Sequence, residues 1–392
     1  MDPRQNPYSP GAGAPPPELA GRDSLIERAA IALDRIRLGR SAKSLVLVGL
    51  RGVGKTVLLN RISRDAEARE IVCVSLEAPE DRSLPALIAP ALRATLLSMN
   101  RMDAAGVAAK RALRALAGFI GAMKVRFGDV EVALDVDPER GLADTGDLEA
   151  DLADLLATVG EAAQERTTAV ALVVDELQYV DEDQLAALIT ALHRCAQRQL
   201  PVTLVGAGLP QLVGQTGRAK SYAERLFEFP EIGPLGPVAA RQALTIPAAR
   251  LAVQYEEAAL TSILDDTQGY PYFLQEWGKH AWAVASASPI SGSDARIATA
   301  NALADLDASF FRVRFDRLTP TEKRYLRAMA ELGPGPHRSG DVAATLGKAV
   351  GSVAPTRAVL IAKGMIYSPA HGDTAFTVPL FDGFMRRTMP AV

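Results

Sequence analysis

Cysteine is nearly missing from this chain. Only Cys73 and Cys195 occur in 392 residues, too few for a disulfide framework, so a reduced, cytoplasmic protein is expected. Histidine is as scarce. His193, His280, His337 and His371 are scattered without metal-ligand spacing, and no zinc site is expected. No apolar run approaches the roughly 20 residues that a membrane helix needs. The N-terminus shows no apolar stretch flanked by basic residues, which excludes a secretory signal. Residues 1–17 lack the apolar content to bury themselves. They are rich in Pro and Gly (NPYSPGAGAPPP) and read as a disordered tail.

The remaining composition, 48% hydrophobic and 23% charged, fits a soluble globular protein of two or three domains. Charge is unevenly spread. From Arg312 onward twelve Lys and Arg face six Asp and Glu, a net +6, and the rest of the chain carries −9. A basic end on an acidic body suits a nucleic-acid contact and equally an ordinary solvated surface.

The stretch GLRGVGKT fits G-x-x-x-x-G-K-[ST]. Gly49, Gly52 and Gly54 let the backbone of Leu50, Arg51 and Val53 curl, so that its N–H groups face phosphate oxygens. Lys55 brings a positive charge to the β- and γ-phosphates, and Thr56 offers a hydroxyl to Mg²⁺. Leu45 to Val48 reads as a buried parallel strand before the loop, and a helix starting near Lys55, its apolar face beginning at Val57, aims its positive end at the anion. A second apolar run, Ala169 to Val174, ends in Asp175 and Glu176. A carboxylate at that strand end is placed to hold Mg²⁺, largely through its water, which is the role expected of Asp175. Glu176 is then the group that polarises the attacking water, so hydrolysis of ATP is expected, not binding alone.

With these motifs the chain resembles P-loop ATPases of the additional-strand, catalytic-Glu type. Within them it is similar to AAA+ and STAND ATPases of the origin-recognition-like and archaeal-ATPase-like branch. ELAGRD, GLRGVGKT, LVVDELQ, LVGAGLPQL, RLFEFPEIGPL and GYPYFLQ carry the resemblance. It implies that Gly21 and Arg22 belong to a box near the adenine. It also implies that Val202–Val205 is a fourth strand beside the Ala169–Val174 (Walker B) strand and Leu226–Phe229 a fifth. The arginine before that fifth strand, Arg225, with Arg218 as substitute, would reach the γ-phosphate of a neighbouring copy; the alternative is local pairing with Glu224 or Glu228. Two departures stand out. Gly206, Ala207 and Gly208 occupy the place of a polar γ-phosphate-sensing residue, and GYPYFLQ replaces the usual lid arginine with a G-x-P signature. Both suit a slow nucleotide-set switch.

The expected architecture is an α/β P-loop NTPase sandwich with a parallel sheet over residues 18–236, interrupted by an insert at about 78–147. A helical lid over 237–311 and a winged helix over 312–392 follow. In the insert, Leu84–Asn100 and Ala108–Met123 are read as helices covering the sheet, and Lys124–Pro138 as a hairpin turning near Gly128-Asp129. In the lid, Pro271 is expected to set a helix beside the nucleotide. Tyr270, Tyr272, Phe273, Trp277 and Trp282 are read as core. LTPTEKRYLRAMAEL opens with a capping box of Thr319 and Glu322. Two short helices and a strand–turn–strand come next. If the winged helix meets DNA, Thr356, Arg357 and Lys363 form its reading face, with Arg338 and Lys348 near the phosphates. Its turn AHGD lacks the Lys or Arg that grips phosphate, so a protein-docking role stays open. Partners expected from the sequence are therefore ATP/ADP with Mg²⁺ and either double-stranded DNA or a client protein or second copy, without a membrane.

Overall fold

The computed structural model of the protein describes residues 1–11, 13–101, 106–130, 132, 134–370 and 372–391. The chain forms two compact units. One comprises residues 22–49 and 55–232, the other residues 1–21, 50–54 and 233–392. Among the described residues no helix is long and apolar enough to cross a membrane.

The first unit is built on five parallel strands: β1 (Ser44–Val48), β2 (Val72–Glu77), β3 (Val170–Asp175), β4 (Val202–Gly208) and β5 (Phe227–Glu228), in the order β2-β3-β4-β1-β5. β1, β3 and β4 are buried at every position. That explains why β1 and β3 read as unbroken apolar runs instead of alternating ones. The pleat still sorts them. Val46, Val48, Leu172, Val174 and Leu204 join a core with α3 (Leu84–Arg101), α4 (Val107–Phe127), α5 (Leu148–Glu165) and α6 (Glu182–Gln197). Leu45, Leu47, Val173 and Val205, one residue out of phase and equally buried, serve the opposite face. There α1 (Asp23–Arg37) and α2 (Lys55–Glu67) pack. The insert helices α3 and α4 thus close one face of the sheet, with Ile88, Leu92, Leu96, Leu116 and Phe119 fully buried.

The hairpin expected at Lys124–Pro138 is not what forms. Lys124–Phe127 are the last turn of α4, and Gly128, at φ 76°, ends it by donating its N–H to the Lys124 carbonyl at 3.1 Å. Glycine is the residue that adopts this left-handed helix cap without strain. The alternation of Val125 and Phe127 was therefore chance, and Val125 is 90% exposed on the helix. Asp129, the other expected turn residue, accepts bonds from the Ser83 N–H at 2.9 Å and hydroxyl at 2.8 Å. Positions 131 and 133 of the expected hairpin lie outside the described residues.

The second unit begins with a departure from the expected disorder. Tyr8 is 4% exposed, with its ring against Gly278, where a Cβ would lie 2.7 Å away. Its hydroxyl donates to the Leu244 carbonyl and accepts from Tyr255 at 2.8 Å. Asn6 donates to the Lys279 carbonyl at 3.0 Å, and the Trp282 indole donates to the Asp2 carbonyl at 3.0 Å. Composition correctly found few apolar groups in the tail, but one aromatic with a polar tip suffices to anchor it in a groove floored by glycine. The groove belongs to the helices α9 (Pro237–Ala249) and α11 (Pro271–Val284), which with α10 (Glu257–Thr267) and α12 (Gly292–Ala308) form a helical bundle. Tyr270, Phe273, Trp277 and Trp282 are buried in it.

After α13 (Phe310–Asp316) the chain forms α14 (Pro320–Glu331), β6 (His337–Arg338), α15 (Ser339–Thr345), α16 (Val350–Ala362), β7 (Ile366–Tyr367), β8 (Asp373–Phe376) and α17 (Phe381–Thr388). The three strands pair antiparallel in the order β6-β8-β7. Thr319 and Glu322 make the expected capping box at α14.

Candidate nucleotide site

In the first unit the phosphate loop leaves β1 at Gly49, whose N–H donates to the Gly208 carbonyl at 3.1 Å, tying β1 to the tip of β4. Lys55 begins α2, is only 6% exposed, and donates its ammonium to the Gly49 carbonyl at 2.9 Å. Thr56, the next residue, donates its hydroxyl to Asp175 Oδ2 at 2.6 Å. The Glu176 N–H holds the other oxygen, Oδ1, at 2.8 Å. Burial pushes the Asp175 carboxyl upward, against the opposing pull of the Thr56 and Glu176 bonds and the Lys55 charge. Two oxygens of complementary type, a hydroxyl and a carboxylate, thus converge where a helix N-terminus begins. This donor set suits a hard divalent cation such as Mg²⁺.

Glu176 stands in the left-handed region at φ 54° and ψ 36°. Such a conformation costs a non-glycine residue about 1 kcal/mol or more. It turns the chain abruptly from β3 into a 3-10 turn at Leu177–Tyr179. Gln178 in that turn is 7% exposed, accepts from the Leu209 N–H at 3.0 Å, and donates its amide to Glu176 Oε2. Sequence reasoning passed over Gln178, although the acid–acid–x–Gln order placed a polar residue next to the two strand-end carboxylates.

The two candidate arginines differ. Arg218 is paired with Glu182 at 3.1 Å. Arg225 lies exposed, and neither expected local partner takes it: Glu228 pairs with Arg28 at 2.9 Å, and Glu224 gives only its carbonyl, to Lys43.

The crown of the phosphate loop, residues 50–54, is described within the second unit. The Tyr270 hydroxyl donates to the Arg51 carbonyl, and the Tyr272 N–H donates to the Gly52 carbonyl at 3.2 Å. Gly52 has φ 84°, and a Cβ there would lie 3.0 Å from the Tyr270 ring. Pro271, first residue of α11, stands between the two tyrosines. Gly21, at φ 68°, is packed so closely on α9 that a Cβ would lie 2.6 Å from Ala239; Arg22 is half-buried.

Among the basic residues of the C-terminal segment, Arg357 turns inward. It donates to Thr374 at 2.8 Å, and to Ser368 and the Asp373 carbonyl at 2.9 Å. Lys363 binds both oxygens of Glu322, at 2.8 and 2.9 Å. Arg338 and Lys348 are exposed and Thr356 is half-buried. Arg357→Ala is therefore expected to lower the stability of this segment by about 2 kcal/mol, since it strands three partners of a charged donor. Urea denaturation followed on the C-terminal unit checks it; an unchanged midpoint would show these bonds to be idle. His280 is also less isolated than its sequence position suggested, 3.4 Å from Glu276 and 3.1 Å from Asp305. The Lys279 ammonium, 2.7 Å from Glu276, already supplies that cluster with a cation.

With this geometry in view, the comparisons are informative. Residues 18–205 match the AAA ATPase domain family. Residues 308–385 match a family described as a domain of unknown function. No curated protein matches the sequence. In fold, the chain is similar to a Walker-type ATPase of Pyrococcus abyssi, with 14% identity, a TM-score of 0.60, and coverage of 94% of this chain and 96% of that one. Lower scores relate it to the RuvB Holliday junction branch migration motor of Thermotoga maritima (16% identity, TM-score 0.46, 91% and 92% covered). The ORC1 protein of Aeropyrum pernix, solved in complex with DNA, scores 0.47 at 15% identity, with 95% and 93% covered. The fold is that of an α/β P-loop NTPase, and the segment that matches the AAA ATPase domain family contains Lys55, Thr56, Asp175 and Glu176.

Proposed function

We propose that the protein is an ATP-hydrolysing molecular switch. The observation that carries this reading is the 2.6 Å bond between Thr56 and Asp175 beside Glu176. It joins a loop hydroxyl to a strand-end carboxylate, with a second carboxylate next to it, which supports a shared Mg²⁺ position there. When bound, Mg²⁺ supplies charge neutralisation between the β- and γ-phosphates. Thr56 and Asp175 would hold it, Lys55 would meet the phosphates, and Glu176 would take the proton of the attacking water. Tyr270 and Tyr272 hold the loop carbonyls of Arg51 and Gly52, so the second unit has its own contact with the phosphate loop. Arg225, exposed and with no acid paired to it among the described residues, would serve a neighbouring copy if the protein assembles on ATP.

The helix order and the three-strand antiparallel ribbon of residues 320–388 support the winged-helix reading of the C-terminus. For its role, a protein contact is favoured over DNA. Arg357 and Lys363 are engaged inside the domain, which leaves α16 an outward face of Val350, Ala354, Ala358, Val359 and Ala362 with no cation. Counterion release needs cations at the surface. DNA contact rests instead on Arg338 and Lys348. The test is ATP turnover of the purified chain, beside Glu176→Gln, with and without double-stranded DNA. Glu176-dependent turnover indifferent to DNA, with self-association on ATP, is the expected outcome. Stimulation by DNA that disappears in the Arg338→Ala, Lys348→Ala double variant would restore the DNA reading. ATP bound but never hydrolysed would reduce the site to a nucleotide-held clamp.

A further inference from the structure

The tip of β4 carries no polar side chain, only Gly206, Ala207 and Gly208. The glycines are not idle. A Cβ on Gly206 would lie 2.3 Å from Leu177, and one on Gly208 would lie 2.6 Å from Leu212 and 2.9 Å from Gln178 Oε1. Absence of side chains on β4 is thus what lets the turn after β3 lean over it. Through this gap one buried amide spans the two strands. Gln178 Oε1 accepts from the Leu209 N–H, just beyond β4, at 3.0 Å. An oxygen facing that donor obliges the amide nitrogen to face the other way, toward the Glu176 carboxylate, which accepts from it. The main chain of Gln178 is braced as well, its carbonyl lying 3.5 Å from Gln215 Nε2. Glu176, in its left-handed backbone conformation, has no regular element to orient it.

We infer that Gln178 is a positioning residue: it aims the Glu176 carboxylate and makes the orientation of that carboxylate depend on the tip of β4. This rests on Glu176 being the group that activates water. Gln178 itself touches no nucleotide in this scheme. One oxygen of Glu176 is held by the amide, and the other is left to receive a proton.

Steady-state ATP turnover and nucleotide affinity test the assignment in Gln178→Ala, Glu176→Gln and the double variant. Gln178→Ala is expected to lower kcat about 10- to 100-fold, the range that misplacement of a reacting group produces. KM for MgATP should stay within about twofold, because the phosphate loop is untouched. On the Glu176→Gln background the same change should alter residual turnover less than about twofold, since there is no base left to aim. Should Gln178→Ala fail to fold, Gln178→Met fills the same space without an amide and must show the same loss. Turnover retained by both variants overturns the inference, and so does an equal loss on both backgrounds or a loss confined to KM. If Glu176→Gln itself turns over ATP normally, the reading of Glu176 is what fails, a distinguishable result.

Discussion

Glu176→Gln is expected to turn over MgATP about 1,000-fold more slowly than the unaltered chain while binding it with unchanged affinity. A positioned general base contributes about 10²- to 10⁴-fold to a proton transfer, and the central value is appropriate where no second base stands nearby. The adjacent carboxylate, Asp175, has both oxygens engaged, one by Thr56 and one by the Glu176 N–H. The exchange preserves shape. The new amide can still offer an oxygen to Gln178, so the 3-10 turn has no reason to rearrange. Single-turnover hydrolysis and a fluorescent-nucleotide titration measure the two halves separately. Retention of more than a tenth of the rate would remove Glu176 from the chemistry. A matching loss of affinity would mean that the substitution disturbed the site.

Lys55→Ala should act on the other quantity. Its affinity for MgATP is expected to fall about 100-fold, which is about 2.7 kcal/mol, near the upper range for one charge-assisted hydrogen bond. The ammonium is buried and held on the Gly49 carbonyl at 2.9 Å, so it is ordered before any phosphate arrives and little entropy is lost on binding. Removing it also removes the cation whose field holds down the Asp175 carboxyl, which burial already raises. The metal position is thereby weakened together with the phosphate contact. Isothermal titration at neutral pH is the direct measurement. A dissociation constant within threefold of the parent would show that the backbone amides alone hold the nucleotide.

What could be read in advance follows the range of the forces involved. β1 and β3 were legible because strands buried on both faces must be apolar at every position, and the loop between β1 and α2 because its glycines, Lys55 and Thr56 each answer a demand of the phosphate. Thr319 and Glu322 were legible for the same reason, as a cap is satisfied within four residues. Arg357 was misjudged because its partners, Thr374 and the Asp373 carbonyl, come from β8, and no count of helix faces reveals them. Tyr8 was hidden in a tail whose composition argued for disorder, while its receptor, Gly278, lies 270 positions further on. Gly128 shows the opposite error, a local signal with two readings: a glycine between alternating residues can turn a hairpin or end a helix, and the packing of α4 decided.

The glycines of β4 also constrain how this domain could change over generations. A side chain at position 208 would collide with Gln178, and one at position 206 with Leu177. These contacts are with the far ends of side chains, so a residue gained at 206 or 208 obliges Leu177, Leu212 or Gln178 to shift. Loss of Gln178 in turn removes the donor to the Glu176 carboxylate. A lineage that changes one of these positions therefore passes through a crowded or an unaimed intermediate unless the others adjust. Substitutions at 178, 206 and 208 should then travel as a set, with the tolerance of each position decided by the state of the other two.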